Sequence, residues 1–138
     1  MSYVTDASVL NFKAADRLVV DASDTSVSGG ATSALELQRL LSLGVSINTV
    51  RNLHSKMYLL GEDLVVGSCN LSSNSQKTLI ELAFHTRDKV EIRTAEEVFE
   101  KLVGEGEMVD TEFVERILRL PVDPPPLYTT SDIEPPRF

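Results

Sequence analysis

The sequence predicts an α/β fold: a mixed β-sheet flanked by helices in one domain, followed by an extended Pro-rich C-terminal tail. Three observations carry this. An apolar, β-branched run, "DRLVVDAS", is followed by a capped amphipathic stretch and a second apolar run, "VSINTV", in the order strand, helix, strand. Two short apolar runs, "KMYLLG" and "DLVVGS", then flank Gly61-Glu62-Asp63 as the arms of a hairpin flank its turn. All six prolines fall within residues 121–138, which reads as extended chain outside the core. The domain is therefore expected over residues 1–120 and the tail over 121–138.

Taken in order, "SYVT" is a short strand candidate and "ASVLNF" has the length for a helical turn. "DRLVVDAS" is a buried strand, and "DTSVSGGATS", rich in Ser, Thr and Gly, is a loop. Ser33 with Glu36 three residues later makes a capping-box pattern. The helix it opens carries Leu37, Leu40 and Leu41 on one face and stops at Gly44. "VSINTV" is the next strand, parallel to the first because a helix joins them. After the hairpin, "TLIELAFHT" is a strand. "TAEEVFEKLVGEG" is an acidic, solvated helix capped by Thr94 with Glu97 at the box position, and "DTEFVERILRL" is a last helix ended by Pro121.

Composition excludes several classes. A chain of 138 residues with 42% hydrophobic and 25% charged residues is within the globular range. No apolar run approaches the roughly 18 residues of a membrane span, and the N-terminus lacks a signal-peptide pattern. The single Cys69 allows no internal disulfide and fits a reducing cytoplasm. A net charge of −8 argues against tight, non-specific grip on nucleic acid, although a local positive cleft is compatible with it. There is no GxxxxGK[ST] loop and no CxxC or HxxxH spacing, so neither a nucleotide cofactor nor a metal is expected.

The chemistry concentrates in "LHSKMYLLGEDLVVGSCNLSSNS", residues 53–75. On a strand His54 and Lys56 share a face, and Ser68 and Asn70 share one on the segment across the turn. The hairpin can bring these pairs together as an imidazole, an ammonium, a hydroxyl and a carboxamide. All donate hydrogen bonds, and only the imidazole is also a good nucleophile. Such a set suits a phosphoryl group, with Lys56, Ser68 and Asn70 on its oxygens and His54 attacking phosphorus. Each residue also has a plainer reading: a solvated strand face for His54 and Lys56, a polar turn for residues 67–70, a surface histidine for His85, a small inward-facing residue for Cys69. Asp21 and Ser23 read as a simple turn.

HxK at His54-Ser55-Lys56 followed by GSxN at Gly67-Ser68-Cys69-Asn70 resembles the signature of the phospholipase D superfamily, and the likeness extends over roughly residues 1–105. The resemblance implies a phospholipase D-like fold and a hydrolase needing no metal, with His54 forming a phosphohistidine, Lys56 clamping phosphate, and Ser68 and Asn70 supporting it. It implies that Glu81, in "LIELAF", orients His54; a carboxylate between Ile80 and Leu82 is otherwise awkward in a strand. The family's Asp is replaced by Gly61. The chemistry needs two histidines, one to attack and one to protonate the leaving oxygen. This chain has one motif, since His85 is followed by Arg87 without a GSxN. A homodimer with a shared cleft is therefore expected. The expected function is a phosphodiesterase, with a nuclease favoured and lipid or small phosphodiesters open. The alternative is a weakly active or inactive binding or dimerisation module.

Overall fold

The computed structural model describes residues 2–77 and 79–123, the side chains of residues 74 and 76 excepted; the rest of the Pro-rich tail lies outside the described residues. The chain forms a small α/β domain with two three-stranded sheets. Strand β1 (Arg17–Val20) pairs parallel with β2 (Ser46–Thr49) in the register Arg17 to Ser46 through Val20 to Thr49. The two-residue strand β6 (Glu107–Met108) adds antiparallel to β2, which makes this sheet mixed. The second sheet, β3 (Met57–Leu60), β4 (Asp63–Gly67) and β5 (Ala83–Thr86), is antiparallel throughout.

Between β1 and β2 lie α1 (Asp24–Ser28) and α2 (Ala34–Ser42). Ser33 caps α2 as its sequence position predicts, accepting from the Glu36 amide at 3.2 Å. The reciprocal half of the capping box is not made. Glu36 instead accepts from the Ala7 amide at 2.8 Å and pairs with Arg39, while the Ser33 amide donates to the Val4 carbonyl. A local cap has thus become a tertiary tie. The helix stops as expected, with Gly44 at φ +84°.

Several expectations shift. The "DTSVSGGATS" loop contains α1, capped by Ser23. "SYVT" makes a single bridge, Val4 to Leu71, and "ASVLNF" makes a turn. Thr78 of "TLIELAFHT" lies outside the described residues; of the rest, regular strand starts at Ala83. Helix α4 (Lys89–Glu105) starts ahead of Thr94, capped by Asp88 through the Val90 and Glu91 amides. Thr94 lies inside it with its hydroxyl on the Val90 carbonyl. Helix α3 (Ser73–Lys77) follows the GSxN motif, and α5 (Thr111–Ile117) is capped by Asp110.

Leu18 and Val20 of β1 join Leu37, Leu40, Ile47, Val114 and Ile117 in the main core, where α2 packs on α5. Val19, on the opposite face of β1, is also buried. Helix α4 packs against β1, β3 and β4 and so lies across the junction of the two sheets. Away from the site the sheets part around a groove of about 650 Å³ lined by Leu10, Phe12, Arg17, Met57, Leu60 and Phe99.

The β3–β4 turn explains Gly61. Leu60 pairs with Asp63, leaving a two-residue loop, and Gly61 takes φ +66° while Glu62 does not take a positive φ. Only glycine adopts that first position freely. At the same end Asp63 accepts from Arg87 and meets His85 Nε2 at 2.6 Å. The Arg87 guanidinium, then His85, pulls the Asp63 carboxyl down to about 2.

Two predictions arise here. Leu37→Ala is expected to lower unfolding free energy by about 2–5 kcal/mol, against under about 0.5 for the exposed Leu35→Ala, both read by urea denaturation. Asp63 is held below its ordinary value, so its contribution is full above about pH 4 and disappears as pH falls through about 2. The difference in urea midpoint between the wild type and Asp63→Asn should therefore shrink as pH falls from about 4 through about 2.

Candidate functional site

The His54 segment is set by a turn. The amide of Asn52, at φ +61°, donates to Asp21 Oδ2 at 2.9 Å, and the Ser23 amide donates to Asp21 Oδ1 at 2.9 Å. Asp21 is buried. Burial pushes its carboxyl up, but the hydrogen bonds from Ser23, Asn52 and Ser26 outweigh that and leave it lowered. Sequence reasoning read Asp21 as a simple turn residue. The turn is there, but the second oxygen anchors the chain that leads into Leu53 and His54. An acid ending a buried strand just before a Ser was the available signal.

His54 and Lys56 lie just ahead of β3 and come together as the HxK spacing predicts. Lys56 Nζ is 2.8 Å from His54 Nε2. An ammonium can only donate, so Nε2 accepts and the imidazole proton sits on Nδ1. The two differ in burial: His54 is exposed, with its ring edge-on to Tyr3 at 6.3 Å, whereas Lys56 is 9% exposed. Among the described residues Lys56 has no carboxylate within ion-pair distance.

The GSxN segment is tied to HxK through backbone. The Gly67 amide donates to the Lys56 carbonyl at 3.1 Å, and the Tyr58 hydroxyl donates to the Cys69 carbonyl at 2.7 Å. Burial, helped by Cys69 and Glu81, pushes the Tyr58 phenol up, so it remains a donor. Gly67 is required by close approach: a Cβ there would come within 2.8 Å of Ala83 Cα and closer still to the Leu82 carbonyl.

Ser68 meets the next segment in three ways. Its amide donates to the Leu82 carbonyl at 3.0 Å, its Oγ accepts from the Leu82 amide at 3.1 Å, and its hydroxyl donates to Glu81 Oε2. Ser68, followed by Ser75, holds the Glu81 carboxyl below its ordinary value, and the charge of Lys56 adds to this. Glu81 is therefore near the cluster, but it holds Ser68 and not His54. The sequence places the acid correctly in the chain and misassigns its partner, because nothing in residue spacing selects between two nearby donors.

Asn70 accepts at its carbonyl from the Ser72 amide, and its own amide donates to Ser75 Oγ at 3.3 Å. Its side-chain Oδ1 is buried with no hydrogen-bond partner among the described residues. Ser72 and Ser75 serve the loop and the start of α3. His85 sits toward the hairpin-turn end of β5, opposite Val65 and on Asp63, and does not join the site. Cys69 is half-buried and unpaired with another thiol. No helix among the described residues is long and apolar enough to cross a membrane.

Chemically the cluster offers an imidazole whose Nε2 lone pair is engaged by a buried ammonium, and a serine fixed by a carboxylate. Gly67→Ala should force β4 and β5 apart, costing about 1–3 kcal/mol in urea denaturation and loosening the Ser68–Glu81 contact, seen as a shift of the Glu81 side-chain carboxyl resonance. Neither a protein-family model nor a curated protein sequence matches the chain.

Proposed function

We propose that this chain is a metal-independent phosphodiesterase of the phospholipase D type, favouring nucleic acid, that works through a phosphohistidine in a site shared by two copies. One observation carries the reading. Lys56 is a buried ammonium whose only polar side-chain partner among the described residues is the Nε2 of an exposed imidazole. A buried cation without a counter-anion is costly, and a bound phosphoryl group lowers that cost. It would sit where Lys56 now meets His54, with its oxygens on the ammonium and its phosphorus before Nε2.

The reaction then runs in two displacements. The Nε2 lone pair attacks phosphorus, a P–N bond forms, and the P–O bond to the leaving group breaks. The leaving oxygen takes a proton from His54 of the second copy. That imidazole, now neutral, removes a proton from water. The resulting P–O bond replaces P–N and restores His54. Lys56 stabilises the charge that builds on the non-bridging oxygens. Ser68, fixed by Glu81 and Leu82, lends its dipole from the next strand.

One observation favours a second reading, a phosphate-binding module with little turnover: Glu81 is bonded to Ser68, which leaves His54 Nδ1 without a carboxylate to fix it among the described residues. The two readings separate cleanly. Incubated in chelator with a radiolabelled phosphodiester and quenched in alkali, an active protein should retain label on His54. His54→Ala should lose the label and reduce turnover by about a thousandfold or more. Full turnover by His54→Ala, or loss of wild-type turnover in chelator, overturns the phosphodiesterase. Phosphate binding that depends on Lys56 without any label supports the binding module.

A further inference from the structure

One aromatic side chain beside the site has no part in the chemistry so far. Tyr3 meets the exposed imidazole of His54, with ring centroids 6.3 Å apart and planes inclined at 63°. Its backbone is anchored on both sides. The Ser2 carbonyl accepts from the Asp21 amide at 2.9 Å, and the Val4 carbonyl accepts from the Ser33 amide at 2.8 Å. Ser2 and Val4 are fully buried, while Tyr3 between them is half-buried, as alternation in extended chain requires. Tyr3 also lies outside the main core, which takes Val4 and Ala7 and against which Phe12, Tyr58 and Phe113 pack. The fold thus holds an aromatic ring at the nucleophile without using it as core.

We infer that Tyr3 is a platform for the base next to the scissile phosphate, which makes the substrate an unpaired nucleotide strand. The inference rests on the phosphodiesterase reading and names the substrate of that same site. A phosphoryl group before His54 Nε2 carries a nucleoside on an ester oxygen, and the base stands one sugar away from phosphorus. Tyr3, one ring contact away from the imidazole, lies within that span. Stacking needs a flat face, which a methyl or acyl-glycerol ester does not offer at this place. It also asks nothing of charge. A chain of −8 neutralises few phosphates, so a base contact has the more to contribute to affinity. A base held on Tyr3 has left any duplex stack, so a single strand fits and a paired one does not.

Two esters with one leaving group test this on the full chain in chelator: the para-nitrophenyl ester of thymidylate and methyl para-nitrophenyl phosphate. The readout is the ratio of their kcat/KM values. Tyr3→Ala and Tyr3→Leu should each lower that ratio by about tenfold or more, and Tyr3→Phe, which keeps the ring, should preserve it. A ring that only props His54 acts on both esters alike, so an unmoved ratio in the Ala and Leu variants overturns the inference even if both rates fall. Tyr3→Leu keeps apolar bulk against His54 and decides the matter should Tyr3→Ala fail to fold. Wild-type cleavage of a thymidine oligomer should slow by about tenfold or more once it is annealed to its adenine complement, and equal rates overturn the inference. A wild type inactive on every ester removes the phosphodiesterase, and equilibrium dialysis then judges the platform separately. A thymidine oligomer bound more tightly than inorganic phosphate, with the difference lost in Tyr3→Leu, keeps the platform on a binding module. No preference for the oligomer, or one that Tyr3→Leu retains, overturns it.

Discussion

Residues 2–6 form the seam that holds the two sheets together, and the site inherits its shape from that seam. Buried peptide groups must find partners, and this short stretch supplies them to four separate parts of the chain. The Ser2 carbonyl accepts from the Asp21 amide at the end of β1, and the Ser2 hydroxyl donates to the Ser55 carbonyl between His54 and Lys56. The Val4 carbonyl takes the Ser33 amide at the start of α2, while the Thr5 and Asp6 amides both reach the Leu71 carbonyl just after Asn70. Ser2 and Val4 are fully buried. The HxK and GSxN segments are thus registered against the β1–β2 pair by one stretch distant from both in sequence. Helix α4 closes the same junction from another side.

Local signals explain what was legible beforehand. The β1–α2–β2 unit, the hairpin at Gly61 and the last helix each carry their own start and stop residues, so those elements appear where expected. The start of α4 is ambiguous in sequence because two capping patterns compete: Asp88 with Glu91, and Thr94 with Glu97. Packing on β3 and β4 rewards the longer helix, and that reward is invisible locally. Strand β6 is two residues long and exists only because β2 offers it an edge. The seam itself read as a short strand, with no indication that it would serve four partners.

The candidate site divides the same way. The 2.8 Å approach of Lys56 to His54 matches the expected juxtaposition, although residues 53–56 are irregular chain ahead of β3 and not the strand the alternation rule assumes. Burial of Lys56 is not legible in sequence, because it depends on what the seam and the second sheet place over it. The choice of Ser68 by Glu81 is decided by Leu82, whose amide and carbonyl both engage Ser68 and draw the neighbouring carboxylate along. Gly61 reads in sequence as a missing acid; the hairpin shows a backbone requirement at that position. Asp21 gained a role from the conformation of Asn52, thirty-one residues away in the chain.

The burial of Lys56 has a consequence for encounter kinetics. Its charge is sunk beneath the surface, so the field reaching into solvent is that of a molecule carrying −8 overall. An incoming polyanion is repelled until it is nearly in contact, and mobile ions that shorten the Debye length ease its approach. Association would then quicken as ionic strength rises from low values, opposite in sign to the counterion-release behaviour of basic nucleic-acid binders.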